Sequence, residues 1–499
     1  MIRYRRLVCT ALPVLMVSTG PGCGPSESHP TFPPPDLAIT GATLIDGTGS
    51  PPRPGTTILV RDGRIAAVMS DSEADVADAG TVIDAAGKYV IPGLADMHVH
   101  LNLGSALPRR DETIDIALAR ELYYGVTSIL AIGGTGASTR SIQALRNRRV
   151  AGELQAPCVY GTGGHLTLPG AHPVYTVMPP PIRRAADSLA ARTPLTDPVN
   201  LYPLGMGISL VRTGEAAREA VRERAEGGMD AIKITVESGP TTFGDDHPQM
   251  SVEMIRIIVE EATAHGLGVF AHISSLDELE AALEGGAAGT VHAVWDRPFP
   301  DTVLADRMAA EGFYVMPTIS IFDGGVSLRY IDEPVDLDDP FLRETISDEE
   351  VAALGDPDFL ERYREGGQIR LDPGSDRAES IRRHMEDLLA NVGMLHERGV
   401  PLVLGTDSGG PFVFPGYSVH RELELLVRAG LTPAEALEAA TVRAAEMIGT
   451  EVEFGTIEPG KRADLLILGA NPLVDIRNTR SLDIAISEGR VVDREALLR

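Results

Sequence analysis

At 499 residues, 43% of them hydrophobic and 23% charged, the chain can bury a large core, which excludes a disordered or fibrous protein. Its formal net charge of −27 argues against a nucleic-acid or anionic-membrane partner, since both select a basic surface. The cations are skewed: of 44, only Lys88, Lys233 and Lys461 are lysines, so a lysine kept inside an apolar stretch points to a requirement for an amine.

The first 22 residues read as a signal peptide: Arg3, Arg5 and Arg6, then a short apolar run over 7–17, then Gly20 and Gly22 before Cys23. The run is too short to span a bilayer, and no later stretch reaches ~18 uninterrupted apolar residues. This arrangement resembles a bacterial lipoprotein signal, from which Pro21 departs. It implies an exported chain, periplasmic or membrane-anchored, lipidated at Cys23 and touching the membrane only through that lipid. Plain secretion and an uncleaved or misread start are the alternatives. Cleavage removes Cys9 and leaves Cys23 and Cys158, so a lipidated Cys23 rules out a disulfide framework. The Pro/Ser-rich segment 23–36 reads as a flexible tether.

From 37 to 91 the text is short, alternating and turn-rich. Strands are expected at 37–40, 42–45, 57–61, 64–68 and 81–84, with Asp46-Gly47, Asp62-Gly63 and Ala86-Gly87 as turns. The rhythm then changes to strand and helix in alternation. Strand-like runs fall at 94–100, 126–132, 156–161, 229–236, 268–274, 289–295, 313–320 and 401–407, with helical patterns such as 112–124, 251–265 and 379–398 between them. Eight such units predict an α/β fold, a closed parallel (β/α)₈ TIM barrel over 92–449. Two long insertions, 161–213 and 322–376, follow strands and are expected over the face where the strands end, as lids or pocket walls. After a helix at 433–448 the chain returns to β-like text. Segments 37–91 and 450–499 are therefore expected to form one split β-sandwich into which the barrel is inserted.

Chemistry-bearing residues sit at the C-terminal ends of the expected barrel strands: His98 and His100 on the first, Lys233 on the fourth, His272 on the fifth, His292 on the sixth and Asp407 on the eighth. His98 and His100 lie two apart, so a strand points both the same way. Each alone has a plainer explanation. A strand can bury two histidines, His272 or His292 can be a hydrogen-bonded core residue, and Lys233 can belong to a buried ion pair. Six in register around one axis are hard to explain so.

The text Pro92-Gly-Leu-Ala-Asp-Met-His-Val-His, Ile232-Lys-Ile, Ala271-His272, His292 and Gly405-Thr-Asp resembles the metal-dependent amidohydrolases, in their imidazolonepropionase-like and prolidase-like branch. Gly430-Leu-Thr-Pro-Ala-Glu-Ala and Gly460-Lys-Arg-Ala-Asp-Leu add to the likeness, and His292 in Val-His-Ala departs from the family's usual Glu-His-Gly. The resemblance implies a barrel flanked by a split β-sandwich and two divalent metal ions, commonly Zn²⁺. They would be held by His98, His100, Lys233, His272, His292 and Asp407, with Lys233 carboxylated by CO₂ so that its carbamate bridges them. Burial beside two cations favours the neutral, CO₂-reactive amine, and a guanidinium cannot become such a ligand. A hydroxide shared by the ions would attack the substrate, with Asp407 as the catalytic proton carrier.

The loop Gly161-Thr-Gly-Gly-His-Leu-Thr-Leu-Pro-Gly-Ala-His-Pro is similar to one seen in those branches, with His172 the better match and His165 the second. Either can donate to an oxyanion or hold a substrate carboxylate; a Gly/Pro turn with exposed histidines is the plainer alternative. The expected activity is hydrolysis of a C–N amide bond in a dipeptide-like or N-acyl amino acid substrate. Cyclic-amide hydrolysis, a lactonase- or phosphotriesterase-like activity, and a surface-anchored binding protein on the same scaffold are the alternatives.

Overall fold

The β-rich segments at the two ends of the chain share one sheet. The computed structural model describes residues 34–101, 113–134, 136–239, 246–326, 336–365, 377–410 and 412–498. The signal peptide and Cys23 lie outside the described residues. Eight strands hydrogen-bond into the terminal sheet, and Tyr89–Pro92 joins its two halves by pairing in parallel with Leu37–Leu44 and antiparallel with Leu465–Leu468. Residues 37–40 and 42–45, expected as two strands, form a single one. At Gly41, whose φ is +74°, the register slips, and the strand changes partner from Thr81–Asp84 to Tyr89–Pro92. Hydrogen bonding thus joins the eight strands of this region in one sheet. Its core gathers Ile39, Leu44, Ile58, Val90, Leu465 and Ile467.

The middle of the chain is mixed α/β with parallel sheets. One sheet holds Leu94–His100, Val126–Gly133 and Cys158–Gly161. The other runs His165–Thr167, Ala231–Thr235, Gly268–His272, Gly289–Val291 and Tyr314–Met316 in parallel order, with the hairpin Val199–Asn200/Ile208–Leu210 added at its edge. The run 401–407, expected as a strand, is held by isolated bridges. Val315 N donates to Pro401 O and Val403 N to Val315 O on one side; Met97 N donates to Leu404 O and His100 N to Ser408 O on the other. It therefore lies between the last strand of one sheet and the first of the other.

Alternation along the strands separates two cores. Ile232, Ile234 and Val236 face the surrounding helices, while Ala231, Phe270, Val291, Met316 and Val403 form the inner cluster. Helices start where side chains cap them, as Thr113 accepts from Ile116 N and Ser251 from Met254 N. The helix expected over 433–448 is two, Pro433–Ala439 and Val442–Met447. The carbonyls of Ala439 and Ala440 accept from Leu404 N and Ala95 N, so strands take the bonds another helical turn would have used.

The insertions differ in placement. The first supplies His165–Thr167, the helix Pro180–Ala190 and the edge hairpin, with a small core of its own around Val174, Leu201 and Ile208. The described parts of the second are 322–326 and 336–365, and the latter packs both on Phe412 and Phe414, in the segment that follows Asp407, and on the flank of the molecule. The Tyr124 hydroxyl donates to Phe341 O, Arg120 pairs with Glu350, and Arg480 with Asp339. His420 also ties that flank together, bonding the Tyr124 carbonyl and the Thr479 hydroxyl, each at 2.9 Å.

Candidate metal centre

Six of the expected residues converge at the C-terminal ends of the parallel strands. His98 and His100 close the strand Leu94–His100, and their Nε2 atoms are 3.1 Å apart. Asp407 Oδ1 lies 2.9 Å from His100 Nε2 and 3.5 Å from His98 Nε2. The strand is not regular here, since its pairing with Val126–Gly133 shifts between Asp96 and His100. Asp96 stabilises the irregularity: its Oδ1 accepts from His98 N and Thr406 N at 3.0 Å each, and its Oδ2 accepts from the Thr406 hydroxyl. This buried carboxylate therefore sets the spacing between the histidine pair and Asp407.

Lys233, His272 and His292 complete the group from the neighbouring strands. Lys233 pairs in register with Phe270 on one side and His165 on the other. His272 Nδ1 lies 3.1 Å from His292 Nε2, and the His292 ring centre is 5.0 Å from that of His98. Regular alternation would turn His292 outward, because Val291 already faces the inner core. A φ of +68° swings it back in, and Asp407 has the same left-handed backbone at +67°. The turn that follows the next strand secures this. Thr318 Oγ1 is 2.6 Å from His292 Nδ1, and Glu422 accepts from Ile319 N and Ser320 N at 2.9 and 2.7 Å.

Burial and mutual repulsion lower three of these histidines. Burial, with the Lys233 charge behind it, holds His98 and His272 well below the usual imidazole range; burial and His272 do the same to His292. Burial also brings the Lys233 amine down to about 7, against the opposing pull of Asp407 and Glu237. For Asp407, burial pushes the carboxyl up, but the charge and hydrogen bond of His100, aided by His292 and Lys233, outweigh it and hold it at about 2.

These donors fit divalent cations. Two sets of three side chains lie close enough to hold one, His98/His100/Asp407 and His172/Glu237/His272, with ligand atoms within 4.8 Å of one another in each. Lys233 Nζ is buried without a hydrogen-bond partner, a costly state for an amine that becoming an anionic ligand would remove. The Nδ1 atoms of His98 and His100 are also unpartnered, so both rings are placed through their Nε2 edges alone.

The two loop histidines part company. His172 comes in over the site: its ring stacks on His272 with centres 4.6 Å apart, and its Nδ1 is 2.6 Å from Thr176 Oγ1. Burial, with His272 adding, lowers it to about 3. His165, expected on the same loop, is a strand residue. It lies in a second strand, in the other sheet, entered through Gly163 and Gly164; a side chain on Gly164 would meet Gly207 O at 1.8 Å. His165 instead lies beside His100, ring centres 6.0 Å apart, with its Nδ1 3.3 Å from Thr235 Oγ1.

Sequence reasoning passed over Asp96, Thr318, Glu422 and Glu237. Of these only Glu237 carried a visible signal. It stands four residues beyond Lys233, so alternation puts Lys233, Thr235 and Glu237 on one strand face. Its Oε2 is 2.7 Å from His272 Nε2.

A sequence model of the amidohydrolase family matches residues 89–492. Ochratoxinase of Aspergillus niger is 27% identical over 460 residues, covering 88% of this chain and 82% of that protein. Imidazolonepropionase of Symbiobacterium thermophilum is 27% identical over 464 residues, covering 87% and 91%. The crystal structure of a Xaa-Pro dipeptidase with bound methionine in its active site matches with a TM-score of 0.68 at 22% identity, covering 91% of this chain and 99% of that one, a likeness of fold.

Proposed function

Because the chain belongs to the amidohydrolase family, beside imidazolonepropionases and prolidase-like enzymes, and is a hydrolase of C–N bonds, we propose that it cleaves the amide bond of a dipeptide-like or N-acyl amino acid substrate at a binuclear centre. In this reading His98, His100 and Asp407 hold one divalent ion, His272 and His292 the other, and Lys233, carboxylated by CO₂, bridges them; zinc suits these imidazole and carboxylate ligands. The observation that carries it is the buried, unpartnered Lys233 amine, whose charge acts on His98 of one ligand set and on His272 of the other. Bound ions of this kind polarise a carbonyl and make water a nucleophile near neutral pH.

The chain's own groups account for the rest. Asp407, held as a carboxylate, takes the proton of the attacking water and delivers it to the leaving nitrogen. His172, stacked over His272, offers its Nε2–H to the oxygen that gains charge when the Thr176 hydroxyl donates to its Nδ1. His165 is a strand residue whose Nδ1 faces Thr235 Oγ1 and whose ring lies beside His100, and we assign it to supporting the ligands. Ochratoxinase, Xaa-Pro dipeptidase and imidazolonepropionase among the similar proteins support an amide substrate, and the last keeps a cyclic amide as the second reading.

We read the two parallel sheets, joined through 401–408, as one closed (β/α)₈ barrel set in the split terminal domain. We also place the mature protein outside the cytoplasm, anchored by lipid at Cys23; Cys23→Ser should release it from membranes, and unchanged fractionation would remove that assignment. The substrate assignment is tested by a panel of dipeptides, N-acyl amino acids, cyclic amides, lactones and phosphotriesters given to zinc-loaded enzyme with bicarbonate. Turnover of the first two classes supports it, and turnover confined to the others replaces it.

A further inference from the structure

Glu237 is the one carboxylate, apart from Asp407, that meets a proposed ligand side chain among the described residues, and the reaction as proposed gives it no task. It is 1% exposed, its Oε2 lies 2.7 Å from His272 Nε2, and its Oε1 has no hydrogen-bond partner. We infer that Glu237 is a positioning residue that fixes the tautomer and the orientation of His272.

The chemistry is compelled by the partners. A carboxylate oxygen accepting at 2.7 Å places the proton of His272 on Nε2 and leaves the lone pair on Nδ1. The same logic fixes His292. The Thr318 hydroxyl donates to the Pro317 carbonyl at 2.7 Å, so its oxygen accepts from His292 Nδ1–H and leaves the lone pair on Nε2. The two free lone pairs then face each other at 3.1 Å with no proton between them. That arrangement repels unless a cation sits between or beside them, so Glu237 and Thr318 together prepare an electron-rich edge. Ligating imidazoles usually carry such an outer partner, whose loss weakens metal affinity about 10–100-fold.

Glu237 also registers the overhanging loop. Its Oε2 is 3.8 Å from His172 Nδ1, and the rings of His172 and His272 stack 18° from parallel. One carboxylate thus sets the ligand and lies against the histidine that covers it.

The inference rests on the binuclear reading, and its test separates the two. In metal-free protein labelled with ¹⁵N-histidine, the His272 signals, assigned by their loss in His272→Asn, should show a proton on Nε2 alone. In Glu237→Ala, and in Glu237→Gln, which offers donor and acceptor alike and keeps the packing, both tautomers should be present. In chelator competition, both variants should release one of two ions about 10–100-fold more readily and keep the other. A single unchanged tautomer in both variants, or unchanged release of both ions, overturns the role of Glu237. If the parent protein takes up only one ion, the binuclear reading fails, and the tautomer measurement still decides Glu237.

Discussion

At the scale of the residue, the account turns on Lys233. Its sequence signal was scarcity, one of three lysines in an arginine-rich chain, and its structural signal is an amine buried with nothing to bond. Lys233→Ala should lose metal and activity together and regain part of both with added short carboxylic acids, which can occupy the place of the carbamate. Full activity in that variant, measured against elemental analysis of the same sample, would remove the bridge from the mechanism. The histidines were legible because ligands on strands follow a period of two. His292 was the hardest to place because only its left-handed backbone points it inward, and a sequence does not display φ. Asp96 and Glu422 were invisible for a different reason: each bonds backbone N–H groups far off in the chain, 310 residues away for Asp96 and 103 for Glu422.

At the scale of the element, turns rather than strands set the site. Glu422, on the helix Tyr417–Arg428, satisfies two backbone donors and the Ser320 hydroxyl, and so secures Thr318 against His292. Glu422→Ala strands buried donors and should cost about 1–3 kcal/mol for each left unsatisfied, read by denaturant unfolding. It should also weaken the ion at His272 and His292 before the other; equal loss of both would deny the turn that task. The strands of this region were recognisable from apolar runs and flanking glycines, whereas 401–407 looks like its neighbours in sequence but bonds only at isolated bridges. His165 was misplaced because Gly163-Gly164 reads as a loop, while here the chain passes within three residues from a strand of one sheet into a strand of the other.

At the scale of the whole molecule, alternating text predicted both the α/β middle and the pairing of the two chain ends. It did not predict the flank docking of 336–365, which depends on aromatic contacts between distant segments such as Tyr124 with Phe341. Leu465–Leu468 is buried throughout and joins the C-terminal segment to Tyr89–Pro92. Leu466→Ala should therefore destabilise the fold by about 2–5 kcal/mol, measured by denaturant unfolding; a cost below about 0.5 kcal/mol, the usual size of a surface substitution, would show the terminal sheet to be dispensable.

His420 gives the molecule an acid sensitivity on the same flank. Burial lowers it from 6.5 to about 3, with the Tyr124 carbonyl opposing. As pH falls from about 6.5 toward 3 the unfolded chain binds a proton that the folded one refuses, so the stability this group contributes above 6.5 is lost progressively. Unfolding free energies of the parent and of His420→Gln should converge as pH drops from 7 to 4. A constant difference would contradict the neutral, buried assignment.

The most direct test of the central claim is the number of divalent ions per folded chain, by elemental analysis of protein purified with bicarbonate and zinc. The binuclear reading predicts two ions in the parent protein and a deficit in Lys233→Ala. One ion or fewer per parent chain would contradict it.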